Sequence, residues 1–342
     1  MKVAMLAPVA WRVPPRHYGP WELVVSRLTE GLVARGVDVT LFASGDSVTA
    51  ATLASVVPRP WEEDEGVDAK VAECLHIASA FERAGDFDLI HNHFDFLPLT
   101  YARLVETPVV TTVHGFSSGR IVPVYRAYAD RVAYVAISEA DRHPDLPYAA
   151  TVHHGIPVDD SPLGKGSDDG TVVVLGRIHP DKGTAEAIEV ARRGGRPLVI
   201  AGIIQDRAYF DAEVAPHVDG DRVRYLGSVG PAERDEVLGS ADALLHLVRF
   251  AEPFGLAMVE AMACGTPVVA IPLGAVPEVV DDGRTGYLVG SSDEAVDALG
   301  RLDQLDRRAC RAHVEARFSV ERMVEGYLDV YRGVLGSSPL GA

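Results

Sequence analysis

The chain alternates short, unbroken runs of Val, Ile, Leu and Ala with segments of helical period, and it does so twice. In the first half KVAMLA, VDVTLFA, FDLIHNH, PVVTTVH and VAYVAIS read as strands, and residues 22–35, 68–83 and 98–105 between them read as helices. Strands that are apolar on both faces, each followed by a helix, predict a parallel sheet covered on both sides. The first lobe is therefore expected to be Rossmann-like. Residues 158–170, VDDSPLGKGSDDG, break the pattern with Pro, Gly, Ser and Asp and read as a linker. The alternation then restarts with TVVVLG, PLVIAG, VRYLGSV, ALLHLV, PVVAI and GYLVG, with helices expected over 184–193 and 233–238. This predicts a second α/β lobe of the same doubly wound class. A chain of 342 residues is long for one core and suits two domains of about 150 residues each. The expected domains are residues 1–160 and 170–318. A C-terminal stripe of Val320, Met323, Val324, Tyr327, Leu328 and Tyr331 has helical period and must bury, so residues of about 320–342 are expected to cross back onto the first domain. Two such lobes facing each other would put the C-terminal ends of their strands, where ligands bind in these sheets, on both walls of one cleft.

Composition narrows the function classes. Hydrophobic residues make up 47% of the chain and charged ones 24%, and no apolar run approaches the roughly 20 residues of a membrane span. MKVAMLAP reads as a strand and loop rather than a secretion signal, so a cytoplasmic location with no stable membrane span is expected. A net charge of -17 argues against nucleic acid as a partner and against a strongly anionic membrane surface. Cys74, Cys264 and Cys310 are far apart, without any C-x-x-C, and support neither a disulfide framework nor a zinc site.

Two stretches of the second lobe carry the chemistry. In GRIHPDKGTAEAI a strand ends at Leu175, Gly176 permits a tight turn, and Arg177 and Lys182 project from a loop ahead of a helix N-terminus, where anions are favoured. A diphosphate clamp and a pair of solvated surface charges are the two readings of that loop. In RFAEPFGLAMVEAMACGTPVVA, Pro253 and Gly255 open a helix whose first amides, from Phe254, Gly255 and Leu256, are expected to point beyond the strand ends. Glu252 lies before that helix and Glu260 inside it, at the edge of an apolar face. A carboxylate there needs a partner. The adjacent hydroxyls of a ribose would supply one, and so would a structural ion pair with an arginine such as Arg284. No Walker lysine pattern is present, and no G-x-G-x-x-G follows the first strand, which weakens ATPase and dehydrogenase readings.

These pieces, together with PPRHYGPWELVVSRLTEGLVARGVDVTLFASG, DLIHNH, TTVHG, AISEADR, HHGIPVD, AEPFGLAMVEAMACGTPVVAIPLGAVPEVVDDGRTGYLV and FSVERMVEGYLDVY, resemble family 4 of the retaining glycosyltransferases over nearly the whole chain. The resemblance implies a GT-B fold and transfer of a sugar from a nucleoside diphosphate to an acceptor hydroxyl, with retention and without a metal or other cofactor. It implies that Glu252 faces the donor sugar, Glu260 holds the ribose, Arg177 and Lys182 clamp the diphosphate beside Gly176, and His114 lies beneath the donor sugar. UDP is the expected nucleotide, ahead of GDP or dTDP. One departure concerns the loop after the first strand, where the family's glycine pair reads Gly19-Pro20, and Pro20 has no N–H to give. The same loop places Trp11, Arg12, Arg16, His17 and Tyr18 as candidates for the acceptor site. The excess of Arg over Lys suits an actinomycete genome. With no polybasic lobe, the resemblance then implies a soluble or weakly lipophilic carbohydrate acceptor, such as an antibiotic oligosaccharide of the avilamycin type.

Rival classes remain at this level. A metal-dependent hydrolase would use His91 and His93, which point the same way from one strand, with Asp95 beyond. A pyridoxal phosphorylase would need Lys182 for its aldimine. A nucleotide-sugar epimerase or hydrolase would consume donor without an acceptor, and a sensor would release it unchanged.

Overall fold

The computed structural model describes residues 1–116 and 118–337. The chain divides into two compact units, and each is described by itself. Unit 1 comprises Met1–Gly155 together with the chain from Val320 onward, and unit 2 is Ile156–Ser319.

Unit 1 is built on seven parallel strands: β1 (Lys2–Leu6), β2 (Asp38–Phe42), β3 (Thr52–Ala54), β4 (Leu89–Asn92), β5 (Val109–Val113), β6 (Val132–Ala136) and β7 (Tyr148–Thr151). Their order is β3-β2-β1-β4-β5-β6-β7. The order reverses between β1 and β4, so the loops that follow these strands diverge and leave a crevice at their C-terminal ends. Helices α1 (Pro20–Ala34), α2 (Ala69–Glu82) and α3 (Val122–Tyr128) belong to this unit. Gly19 is the N-cap of α1 and Pro20 its first residue. A proline is favoured there, because the amide it lacks has no partner inside the helix.

Unit 2 repeats the plan with β8 (Val172–Leu175), β9 (Leu198–Ala201), β10 (Val223–Gly227), β11 (Leu244–His246), β12 (Val268–Ala270) and β13 (Gly286–Leu288). All are parallel, in the order β10-β9-β8-β11-β12-β13, with the reversal between β8 and β11. Its helices are α4 (Thr184–Arg193), α5 (Arg207–Tyr209), α6 (Pro231–Gly239), α7 (Leu256–Ala263), α8 (Val276–Val279), α9 (Ser292–Leu299) and α10 (Arg307–Arg317). The chain then returns to unit 1 as α11 (Val320–Ser337). Met323, Val324, Tyr327 and Tyr331 of the expected stripe are buried. Helix α11 lies close against α1 because Gly31 has no side chain: a Cβ there would come within 2.5 Å of Val324 Cγ2. The remainder of the expected C-terminal segment, residues 338–342, lies outside the described residues.

Three local expectations are corrected. Residues 158–170 are not a free linker but part of unit 2: Gly164 N donates to Cys264 O at 2.9 Å and Gly166 N to Gly239 O at 3.1 Å. The arginines Arg307 and Arg311 cap carbonyls of the same stretch, at Gly164, Val158 and Ser161, so its polar backbone is satisfied by protein. The helix expected over 98–105 is a 3-10 turn at Leu97–Tyr101, which begins with a proline at its second residue. Strands β3 and β7 carried no apolar run to announce them, because both are short edge strands that remain partly exposed.

Candidate active site

In unit 2 the predicted residues gather on the two loops that flank the reversal of strand order. Gly176 and Arg177 follow β8 directly, and Lys182 ends the 3-10 turn ahead of α4. Glu252 follows β11. Because β8 and β11 are hydrogen-bonded neighbours, their loops meet, and Lys182 Nζ donates to Glu252 Oε2 at 2.6 Å. The ammonium also sits 4.6 Å from the centre of the Phe250 ring. The backbone of Glu252 is held independently of its side chain: Ala275 N donates to Glu252 O at 2.8 Å, and Gly274 (φ 64°) comes so close that a Cβ would lie 2.4 Å from Glu252 N and O.

Glu252 is only 7% exposed. Burial alone would raise its carboxyl, but the His246 imidazole and the Lys182 ammonium outweigh that and hold it at about 2. His246, at the end of β11, places Nε2 3.3 Å from the same Oε2. Sequence reading missed this histidine. Its only signal was a polar residue inside the apolar run ALLHLV. Arg177 stands apart from the pair, with its guanidinium donating to Gln205 Oε1.

Glu260 lies in α7 and is also 7% exposed. Its ion-pair partner is Arg234 of α6, whose Nη1 donates to Oε1 at 2.9 Å, and not Arg284, which pairs with Asp281 instead. Arg234 also reaches Asp235 at 2.8 Å. Spacing could not have found this pair, because the two helices meet only in the folded unit. Gly255 caps α7 with φ 90°, so the helix begins at Leu256. The Phe254 side chain is core, edge-on to Phe318 at 5.8 Å.

In unit 1 the candidates surround the loops after β1, β4 and β5. Trp11 and Tyr18 meet edge to face with ring centres 6.2 Å apart. Arg12 Nε donates to Pro14 O at 2.8 Å, and Arg16 is paired with Asp46 at 3.2 Å and with Glu63. His17 is exposed. Glu22, in the first turn of α1, was not singled out in the sequence. It is 3% exposed, accepts from Trp11 N at 3.3 Å, and burial pushes its carboxyl up to about 7 despite hydrogen bonds from its own amide and that of Trp11.

His114 follows β5 with Trp21 stacked on one face, ring centres 5.3 Å apart and planes within 20°. His91 and His93 do point the same way, but toward other side chains. His93 Nδ1 lies 3.0 Å from His114 Nε2, and His93 Nε2 lies 3.2 Å from His91 Nδ1. His91 contacts Tyr331 and Thr112, and the Asp95 carboxylate accepts from Tyr125 at 2.8 Å. Among the described residues no group of three or more His, Cys, Asp or Glu is placed to hold a metal ion. Nor, among them, is any helix long and apolar enough to cross a membrane.

The fold and these loops define a glycosyltransferase of the GT-B class. Residues 156–310 match the family described as Glycosyl transferases group 1, and residues 22–160 match Glycosyltransferase Family 4. Together the two matches run over most of the chain and mark it as a glycosyltransferase. It is 29% identical to a D-inositol 3-phosphate glycosyltransferase of Saccharomonospora viridis, over 93% of this chain and 90% of that one. Among solved structures it resembles AviGT4, a glycosyltransferase involved in avilamycin A biosynthesis, at 24% identity and a TM-score of 0.71, with 98% of each chain covered. It also resembles HepE of Anabaena, solved with UDP and glucose, at 19% identity and a TM-score of 0.73, covering 96% of this chain and 98% of that one.

Proposed function

We propose that this glycosyltransferase moves a sugar from a nucleoside diphosphate, UDP first among the candidates, to a hydroxyl of a carbohydrate or cyclitol, with retained configuration and no metal. The observation that carries the reading is the buried pair of Lys182 and Glu252 at the strand-order reversal of unit 2. A fixed ammonium beside a carboxylate that stays ionised suits a leaving group on which negative charge grows. As the bond from the anomeric carbon to the β-phosphate oxygen breaks, Lys182 and Arg177, with the amides at the start of α7, stabilise the phosphate. The acceptor oxygen bonds to the same face of that carbon, and its proton leaves with the phosphate. Glu252 orients the sugar and Glu260 the ribose, while His114 serves on the donor side in unit 1. UDP as the donor nucleotide is supported by the likeness to HepE. We read the acceptor as a polyhydroxylated ring, a class that includes the inositol phosphate named for the Saccharomonospora relative. An antibiotic oligosaccharide of the kind first expected is a narrower instance of the same class.

The test is acceptor-dependent release of nucleoside diphosphate from an α-linked donor, with the product's anomeric configuration read by NMR. An α-linked product, formed at an unchanged rate in excess EDTA, is expected. Inversion, or donor consumption at full rate without acceptor, would remove the retaining-transferase reading, and loss of rate in EDTA restored by Mg²⁺ would remove the metal-free one.

The role given to Glu260 is tested against its ion pair. Glu260→Gln is expected to weaken binding of the free nucleoside diphosphate by roughly ten- to a hundredfold, the loss of one charged hydrogen bond. Arg234→Met leaves the carboxylate in place, so it should lower Tm while changing nucleotide affinity far less. Equal losses of affinity in the two variants, measured by calorimetry, would make the pair structural.

A further inference from the structure

Four histidines of unit 1 form one hydrogen-bonded chain that the reaction just described does not use as a whole. His91 and His93 are completely buried, and His114 and His154 are 8% and 4% exposed. The chain runs from His154 Nε2 to His114 Nδ1 at 3.4 Å, from His114 Nε2 to His93 Nδ1 at 3.0 Å, and from His93 Nε2 to His91 Nδ1 at 3.2 Å. It ends on α11 and β5: Tyr331 OH lies 2.6 Å from His91 Nδ1, while His91 Nε2 contacts Thr112 Oγ1 at 2.8 Å, which in turn contacts Tyr327 OH at 2.7 Å.

Neutral imidazoles carry one N–H each, so in such a chain the tautomer of one ring dictates that of the next. Burial keeps all four neutral, driving His91, His93 and His154 well below the ordinary imidazole range and holding His114 at about 3. The direction is set at Tyr331. A phenol is a far better donor than acceptor toward an imidazole nitrogen, so its O–H donates to His91 Nδ1, which therefore carries no proton. Two bare nitrogens 3.2 Å apart would repel, so His93 places its proton on Nε2, where it shares the single lone pair of His91 Nδ1 with the shorter phenol bond, and leaves its own Nδ1 bare. His114 must place its proton on Nε2 and give it to His93.

We propose that His93 is a positioning residue for His114, holding that ring as the Nε2–H tautomer, and that Tyr331 of α11 sets the direction of the whole chain. This rests on the donor-side reading of His114 given above. It assigns the two ring nitrogens of His114 to the protein, so that the face left uncovered by Trp21, rather than a free N–H, is what the ring offers a ligand.

The test combines ring ¹⁵N spectra with kinetics on the full chain. In the unaltered protein His114 should show the Nε2–H tautomer. His93→Leu removes the acceptor and should convert the His114 signal to a mixture, lowering kcat about tenfold or more at nearly constant donor KM, as losing a supporting partner does elsewhere. His93→Asn, whose amide oxygen can stand where Nδ1 was, should recover most of both. Tyr331→Phe keeps the ring packing and should disturb the His114 spectrum without touching it. An Nδ1–H tautomer in the unaltered protein, or an unchanged His114 spectrum in both His93→Leu and Tyr331→Phe, overturns the proposal. If His93→Leu does not fold, His93→Asn and Tyr331→Phe decide it. If His114→Ala leaves turnover intact, the donor-side reading of His114 fails, and the coupling is then judged on the spectra alone.

Discussion

Lys182→Met is expected to lower kcat at least a hundredfold, because it removes one preorganised positive group from the leaving phosphate. The same change leaves Glu252 buried without its cation. That carboxyl is held at about 2 against an ordinary value of 4.5, so its ionised form contributes roughly 3 kcal/mol of stability. The shift is downward. Its contribution is therefore present above pH 4.5 and lost as pH falls through 2. Without Lys182 much of it disappears, and the single variant should melt at a lower temperature as well as turn over slowly. The double variant Lys182→Met/Glu252→Gln separates the two losses, since a neutral amide no longer needs a cation. It should regain much of the lost Tm but none of the lost turnover. Failure to regain Tm would mean that the unpaired Glu252 carboxylate is not what destabilises the single variant, and an undiminished kcat in that variant would take Lys182 out of the mechanism.

Unit 1 should be acid-labile, and steeply so. His76, which contacts Ala7 O at 2.9 Å, is lowered by burial to about 4, and the four histidines of the chain are lowered as well. Their folded values lie below the unfolded value of 6.5, so the unfolded chain binds protons first and stability falls as pH drops from 6.5 toward 4. Glu22, raised to about 7, works the other way: its neutral form favours the folded state, and that contribution is lost as pH rises from 4.5 through 7. Near pH 5.5 five imidazoles gain a proton on unfolding and one carboxyl loses one, a net uptake of about four, or roughly 5 kcal/mol per pH unit. Hydrogen exchange at pH 7.5 and 5.0 should show protection in unit 1 collapsing while β8 to β13 stay protected. Equal protection of unit 1 at the two pH values would contradict the neutral, buried state of these rings.

Most of the fold is legible in the residue pattern because nearly every central strand is buried on both faces and so reads as an apolar run. Strands β3 and β7 escape that logic, lying at the edges with half-exposed side chains. The loops holding Gly176, Lys182 and Glu252 are legible too, since glycines and prolines mark where strands stop and helices start. What the residues on those loops touch is not. The partnership of Lys182 with Glu252 depends on two strands 70 residues apart becoming neighbours, and Arg234 reaches Glu260 only because α6 and α7 pack together. The linker reading of 158–170 fails for a related reason. Pro, Gly and Asp mark irregular backbone, and whether that backbone floats or packs is decided by arginines more than 140 residues downstream.

Helix α11 gives the chain an unusual order of completion. Unit 2 leaves and returns at one point, where Ile156 pairs with Ser319, so it is an insertion within the sequence of unit 1. On the ribosome it is the inserted lobe that can close first. The first 155 residues already hold a whole sheet, yet the side chains that pack on Gly31 and the hydroxyl that orients His91 arrive only with α11. A nascent chain stalled after unit 2 would thus own its Lys182–Glu252 pair while its histidines still had no defined direction of donation.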